Sequence, residues 1–554
     1  MKSTLVALLI YSIIALVLLG AVWSHPSTTT YPDVSRDNYA NFWDFWWVQH
    51  AIRSGLNPFY THELYFPTGT SLKVYEFGPL YGLFSIPIFL VGQSWQNAVF
   101  AHNLWIVATF ILTAMAGFLF ARAISGSEPG ALVAGFTLGF CSFRFHHLEH
   151  LNLLSFYWIP LAALAGHRVA LRNYRDEKAF PIASLVALVL CGLGAAGTSL
   201  TVLVLAVFFL AIWSVLIAFL DRRRYSWPKA ILAVVVLGLG SLPVTGGPAF
   251  AYLRGTMGNL SASAPDLARY SPDLIGFVTP GQSAVLSPLW PHAFSLHGAG
   301  GRNMYLGFAS LTLAVIGLKR AGRRGAPLGV TALIGLLAAL GPGIWIAGTY
   351  HDLPISLTQI LQHLPLFSIN RVPERYVLVT LTALTPLVAL GFESLARIKS
   401  RRAWAAGLVL LAAIELVPPP IRAVPVAMPD VYFRLRDDPH PGAMLELSLV
   451  GRKANEFVLH QIVHRRPMMM GPVNRPSAAA VDFLEKGMFK ERLSDPVAFS
   501  SALQDLRQVG VAFLVWHREG WDTQDWEALC SMYATKTSVW FRSEDLIVFR
   551  LADS

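Results

Sequence analysis

Apolar residues in this chain gather into long uninterrupted runs separated by short polar connections. A first run extends from Thr4 to Trp23, and others follow at about 98–121, 129–143, 152–170, 180–197, 199–220, 230–253, 304–318, 326–347, 376–395 and 403–420. About 20 apolar residues in helical conformation cross the hydrocarbon core of a bilayer. The pattern predicts an all-α polytopic membrane protein with about eleven transmembrane helices. Only Lys2 precedes the first run, and the following AVWSHPS lacks a small-residue cleavage site, so this run reads as an uncleaved anchor with its N-terminus inside.

One stretch, Phe77 to Val91, is ambiguous because it is apolar but carries Pro79 and Pro87. Charge decides its assignment. If 77–91 lies in the interface or re-enters, all the basic connections fall on one side: Arg122; Arg168, Arg172, Arg175 and Lys178; Arg222, Arg223, Arg224 and Lys229; Lys319, Arg320, Arg323 and Arg324; and Arg397, Lys399, Arg401 and Arg402. Cytoplasmic loops retain such residues. The topology then turns 24–97, 144–151, 254–303, 349–375 and the tail from 421 outward. After Pro418-Pro419-Pro420 the pattern changes to short β-like runs (443–450, 511–517, 546–551) with helical segments between them. Residues 421–554 are therefore expected to form a small extracytoplasmic α/β domain. Residues 1–420 form the membrane domain, with the outer loop 24–97 carrying the proposed active site.

Composition agrees: 54% of the 554 residues are hydrophobic and 14% charged, against a charged share of about 25% in soluble proteins. The net charge of +10 follows from the basic inner loops, and no basic run lies on a soluble module, so nucleic acid is not an expected partner. Cys141, Cys191 and Cys530 suggest neither a disulfide framework nor a thiolate metal site.

Four outer constellations could carry chemistry. Arg36-Asp37-Asn38 with Asp44 opens the first loop; on a helix, 37, 41, 44 and 48 share a face, so both acids point one way, as a general base or as metal ligands. The bland reading is an interfacial helix with solvated acids and an aromatic belt of Trp43, Trp46 and Trp47. Arg144 to Asn152 contains H-x-x-E-H (His146, Glu149, His150), the inverted zinc-peptidase pattern, but at a helix boundary; a polar cavity wall with His150 and Asn152 as donors, or a helix cap, fits better. Asn370-Arg371-Val372-Pro373-Glu374-Arg375-Tyr376 puts two arginines outside, against the topological bias, which points to an anionic partner, or else to salt bridges with nearby acids or lipid headgroups. The loop 254–303, with Asp266, Tyr270, Asp273, Trp290, His292 and Arg302, has the aromatics and polar groups of a sugar-binding loop, and equally those of an ordinary interfacial one.

The order of these features resembles the polytopic glycosyltransferases of the type C fold. More narrowly, it is similar to bacterial inner-membrane proteins related to the protein mannosyltransferase and lipid A arabinosyltransferase groups. The stretches that carry the resemblance are DNYANFWDFWWVQHAIRSGLNPF, LYFPTGTSL, HLNLLSFYWIPL, LPLFSINRVPERY and LRQVGVAFLVWH. The resemblance implies a sugar donor on polyprenyl phosphate, a lipid, glycan or protein acceptor, and Asp37 as the base. His150, Asn152, Arg371 and Arg375 match recurring motifs of the narrower group. Asn38 stands where the commoner pattern has a second acid, so Asp44 is the reserve carboxylate and a divalent metal is left open. Two rivals remain. A transporter or flippase of lipid-linked glycans would place charges in mid-helix, whereas Glu393 and Glu415 lie near helix ends. A non-catalytic assembly protein would use its tail for docking.

Overall fold

The computed structural model describes the chain apart from residues 1, 33–36, 74–76, 93, 172–180, 255–261, 281–285, 287–303, 365–366, 369, 450–453, 473–477, 488 and 552–554. Each apolar run holds a helix: Lys2–Leu18, Trp95–Ser125, Glu128–Gly139, Trp158–Ala170, Ile182–Thr198, Leu200–Leu220, Trp227–Leu253, Phe308–Ala321, Ala326–Ala339, Val377–Ala396 and Arg402–Leu416. Among the described residues four helical segments are long and apolar enough to cross a membrane: Trp95–Ser125, Leu200–Leu220, Trp227–Gly247 and Pro373–Ala396. Lys2–Leu18, Ile182–Thr198 and Ala326–Ala339 are shorter apolar helices. The ambiguous stretch breaks into Pro79–Phe84 and Ile86–Leu90. At about 1.5 Å per residue neither is long enough to span.

The chain divides into two compact units, one of Met1–Ser24 with Leu104–Ala423 and one of His25–Asn103 with Val424–Ser554. The first is the helical unit. Glycines let its helices approach to backbone contact: a Cβ on Gly391 would lie 1.9 Å from the Leu313 carbonyl oxygen, and one on Gly317 would lie 2.0 Å from that of Leu387. Lipid is as apolar as leucine, so close packing of small residues supplies the cohesion that water exclusion supplies elsewhere. Glu415 is used for capping: it accepts from the amides of Phe308 (3.1 Å) and Ala309 (3.0 Å) and from the Tyr305 hydroxyl (2.8 Å). A carboxylate there complements the helix N-terminus. Glu393 accepts from Ser127 and, at 2.6 Å, from Arg397.

In the second unit a four-stranded sheet runs in the order Ala443–Leu447, Val511–His517, Leu546–Arg550, Ser538–Arg542. The first pair is parallel and the others antiparallel. Its core holds Leu445, Leu506, Leu514, Trp516, Tyr533 and Phe549. Glu446 is buried in the first strand, where its Oε1 accepts from Tyr432, from His460 (3.0 Å) and from His517 (2.7 Å). Burial favours its neutral form, but the two imidazoles outweigh that and hold the carboxyl well below its usual range.

The unit cuts the chain differently from a boundary at 420, because the first loop and the tail share backbone bonds. Thr29 and Thr30 pair antiparallel with Pro425 and Val424. The Met468 amide donates to the Glu63 carbonyl (2.8 Å), and the Phe66 amide to the Met468 carbonyl (2.9 Å).

Candidate functional site

Asp37 is the first residue of the helix Asp37–Arg53, where a carboxylate meets the positive end of the helix dipole. It is half-buried, and the Asn455 side chain donates to its Oδ1 at 2.8 Å. Asn455 lies in the tail helix Ala454–His464. The same helix supplies Gln461, whose Oε1 accepts from the Trp43 indole at 2.6 Å and whose amide donates to the Glu63 carbonyl at 2.6 Å. Arg465, just beyond it, stacks on Trp46 at 4.8 Å.

These contacts correct the aromatic-belt reading. Trp43, Trp46 and Trp47 are all buried inside the unit, with Trp43 and Trp47 stacked at 5.5 Å. Belt residues keep a wet edge at the interface; these are covered by the tail helix and by the Pro58 carbonyl, which accepts from Trp47.

Asp44 is two turns further along the helix and only 4% exposed. Its Oδ1 has no hydrogen-bond donor among the described residues, and burial drives its carboxyl well above the usual carboxylate range. Burial disfavours the charged form of this carboxyl. The unbroken helix puts 37 and 44 on one side, as their spacing predicts, but tertiary burial gives them different chemistry.

In the helical unit the histidine and arginine motifs come together. The segment after Glu128–Gly139 folds as two short helices, Ser142–Phe145 and Leu151–Leu154, anchored by the buried Arg144. Its guanidinium donates to Thr113 (2.7 Å), Thr109 (2.9 Å) and the Leu154 carbonyl (3.1 Å) and lies 4.0 Å from the Phe110 ring. His147, also buried, contacts the Phe143 carbonyl through Nδ1 at 2.8 Å and faces Glu374 through Nε2 at 3.6 Å. The 144–152 and 370–376 segments are thereby joined.

His150 Nδ1 lies 3.2 Å from Glu149. Burial raises the Glu149 carboxyl, but the His150 contact and charge, with His147 behind, bring it down to about 2. Residues His146–Glu149 form a turn instead of the helix the zinc pattern needs, and among the described residues no group of three or more side chains is disposed to hold a metal. Asn152 is buried nearby in sequence, on the Leu151–Leu154 turn.

Arg375 donates to Thr201 at 3.1 Å, which joins the arginine motif to the start of Leu200–Leu220. Arg371 is exposed, with its guanidinium 5.8 Å from the Tyr270 ring. Four pieces of the helical unit therefore meet: 143–152, the Tyr270 region, Thr201 and 371–376. Asp273 serves the fold here, since its carboxylate accepts from the amides of Ile275 (3.0 Å), Ala347 (3.1 Å) and Gly348 (2.7 Å). Trp290, His292 and Arg302 lie outside the described residues.

Three solved structures share this architecture. An archaeal oligosaccharyltransferase, AglB from Archaeoglobus fulgidus, in complex with an inhibitory peptide and a dolichol-phosphate, is 11% identical with a TM-score of 0.53, covering 98% of this chain and 73% of its own. An Archaeoglobus fulgidus oligosaccharyltransferase with zinc and sulfate is 12% identical with a TM-score of 0.51, covering 95% of this chain and 69% of its own. Arabinofuranosyltransferase AftD from Mycobacteria is 15% identical with a TM-score of 0.56, covering 99% of this chain but only 41% of its own. The chain has the GT-C fold. No protein-family model matches the sequence, and no curated protein matches it.

The chain thus carries an acid, Asp37, held by Asn455 in one unit and a histidine, glutamate and arginine cluster in the other. Sequence reasoning missed Asn455, Gln461, Arg465 and Thr201. None belongs to a motif, and the Asn455–Asp37 contact closes over 418 residues.

Proposed function

We propose that this protein is an inverting membrane glycosyltransferase that moves a sugar from a polyprenyl-phosphate donor to a lipid, glycan or protein acceptor on the outer face of a bacterial inner membrane. The observation that carries this reading is an outer-loop acid, Asp37, on the first turn of its helix, oriented by Asn455 within a GT-C fold.

Asp37 accepts the proton of the acceptor hydroxyl as its oxygen bonds to the anomeric carbon. The bond from that carbon to the phosphate oxygen breaks, and the electron pair leaves with the polyprenyl phosphate. Arg371 and Arg375 neutralise that phosphate, a task suited to guanidinium. His150 and Asn152 hydrogen-bond the sugar, with Asp44 as the reserve carboxyl; Arg302 belongs to the same proposed set.

Support also comes from the position of the acids in the helical unit. Glu393 and Glu415 cap or pair at helix ends, whereas a transporter would keep charges in mid-helix.

The test is transfer from a labelled polyprenyl-phosphate sugar panel by purified full-length protein. Asp37→Asn is expected to lower the rate by about 10²- to 10⁴-fold, the range of a general base, and Arg371→Ala to weaken donor use. Undiminished transfer by Asp37→Asn removes it from the mechanism.

A further inference from the structure

The helical unit contains a cavity of about 570 Å³ well away in sequence from the motifs above. Its lining includes Arg224, Arg320, Arg323 and Arg324 together with apolar and aromatic side chains such as Trp213, Ile217, Tyr225 and Leu328. No acidic side chain is among its lining residues. Among the described residues no ion pair joins any of these four arginines to an acid. Four guanidinium groups around one opening repel one another and retain their donors unless an anion binds among them.

The cavity is built before any ligand arrives. Trp213 and Tyr225 are buried and belong to an aromatic cluster with His167, whose Nδ1 lies 3.0 Å from the Tyr225 hydroxyl. Leu171 forms a β-bridge with Tyr225, and the Ser226 amide donates to the Ala170 carbonyl at 2.8 Å, so the stretch of chain that presents Arg224 is fixed. Arg320 lies in the last turn of Phe308–Ala321, and Arg323 and Arg324 lie in the tight turn Gly322–Arg324 that follows. Both loops are among the basic connections that the charge pattern assigns to the inner side.

We propose that this cavity binds a phosphate-bearing anion, with the arginines on the phosphate and the Trp213, Ile217 and Leu328 wall on an apolar portion, the chemistry of an anionic glycerophospholipid. Basic pockets between transmembrane helices take such headgroups, and Arg offers planar, two-pronged contacts to phosphate. The site is independent of the proposed transfer reaction, because none of its residues belongs to that machinery.

The test uses full-length protein in neutral detergent, with phosphatidylglycerol, phosphatidylcholine and inorganic phosphate as probes and native mass spectrometry as the readout. Phosphatidylglycerol is expected to bind at least tenfold more tightly than phosphatidylcholine. Arg320→Gln with Arg323→Gln is expected to remove at least tenfold of that affinity, and Arg224→Gln, from the other loop, to act in the same direction. Arg320 and Arg323 are exposed, so their loss removes no core packing, and an unchanged melting temperature verifies this. Lys399→Gln with Arg401→Gln, an inner basic pair outside the cavity, is expected to leave binding intact. Phosphate that competes at micromolar concentration identifies a soluble phosphate compound as the ligand, and phosphate that does not compete identifies the lipid; both support the site. Binding unaffected by the cavity variants, or reduced equally by Lys399→Gln with Arg401→Gln, overturns it.

Discussion

Among single residues, the two acids of the Asp37–Arg53 helix show how environment assigns chemistry. Asp37 keeps partial exposure and a donor from Asn455; Asp44 is buried with an oxygen to which no described residue donates. Burial raises the Asp44 carboxyl in the folded state, so between its unfolded value near 4 and its folded value the native protein binds the extra proton. Stability through this residue therefore falls as pH rises across that window. Asp44→Asn, which removes the ionisation, is expected to stabilise the protein at pH 7 by about 1.4 kcal/mol for each unit by which burial raises the carboxyl within that window, with the gain shrinking toward pH 4. Thermal melting of both proteins across pH in detergent measures it, and a gain that does not change with pH would contradict the burial argument. The spacing of the two acids was legible in the sequence, but their difference was not, because it depends on which of them the rest of the unit covers.

Among the helices, each apolar run marked a helix, but of the eleven spans expected only four described segments are long and apolar enough to cross a membrane, because turns and capping residues cut several runs short of spanning length. How those helices pack depends on individual glycines. Gly391 and Gly317 bring Val377–Ala396 and Phe308–Ala321 to backbone contact. A valine at 391 would drive its Cβ into the Leu313 carbonyl, which cannot move aside as a side chain can. Gly391→Val is therefore expected to destabilise by about 3 kcal/mol or more, at or beyond the usual overpacking range. Gly407, on Arg402–Leu416, has no atom outside its own stretch of helix backbone within 4 Å of the point a Cβ would occupy, so Gly407→Ala is expected to be neutral or slightly stabilising. Detergent melting temperatures of the two variants give the comparison, and equal losses would remove the packing explanation. The tryptophans show the opposite case. Their spacing suits a membrane belt, and only the tail helix shows that they are interior.

Across the whole molecule, the compact unit that holds Asp37 is assembled from two segments far apart in the chain. Backbone pairing of Thr29–Thr30 with Val424–Pro425, and the Glu63 to Met468 bond, tie them together. Truncation after Ala423 would strip the cover from Trp43, Trp46 and Trp47 and the Asn455 donor from Asp37. The truncated protein is expected to be cleaved rapidly by added protease within 25–103, while the full chain resists there; mass mapping of the fragments checks it. Equal resistance would show that the loop folds without the tail.

Run length, the charge of short loops, and residue type against its surroundings are local properties. They were enough to give the helical membrane architecture, the position of the polar segments between helices, and Asp37, His150, Asn152, Arg371 and Arg375 as the residues to examine. Folding in three dimensions was needed to make one unit of the first loop and the tail, to set Asn455 on Asp37, to bring His147 to Glu374 and to bury Asp44. Each of these rests on contacts across long sequence separations or on exclusion of water, and neither leaves a periodic trace in the chain.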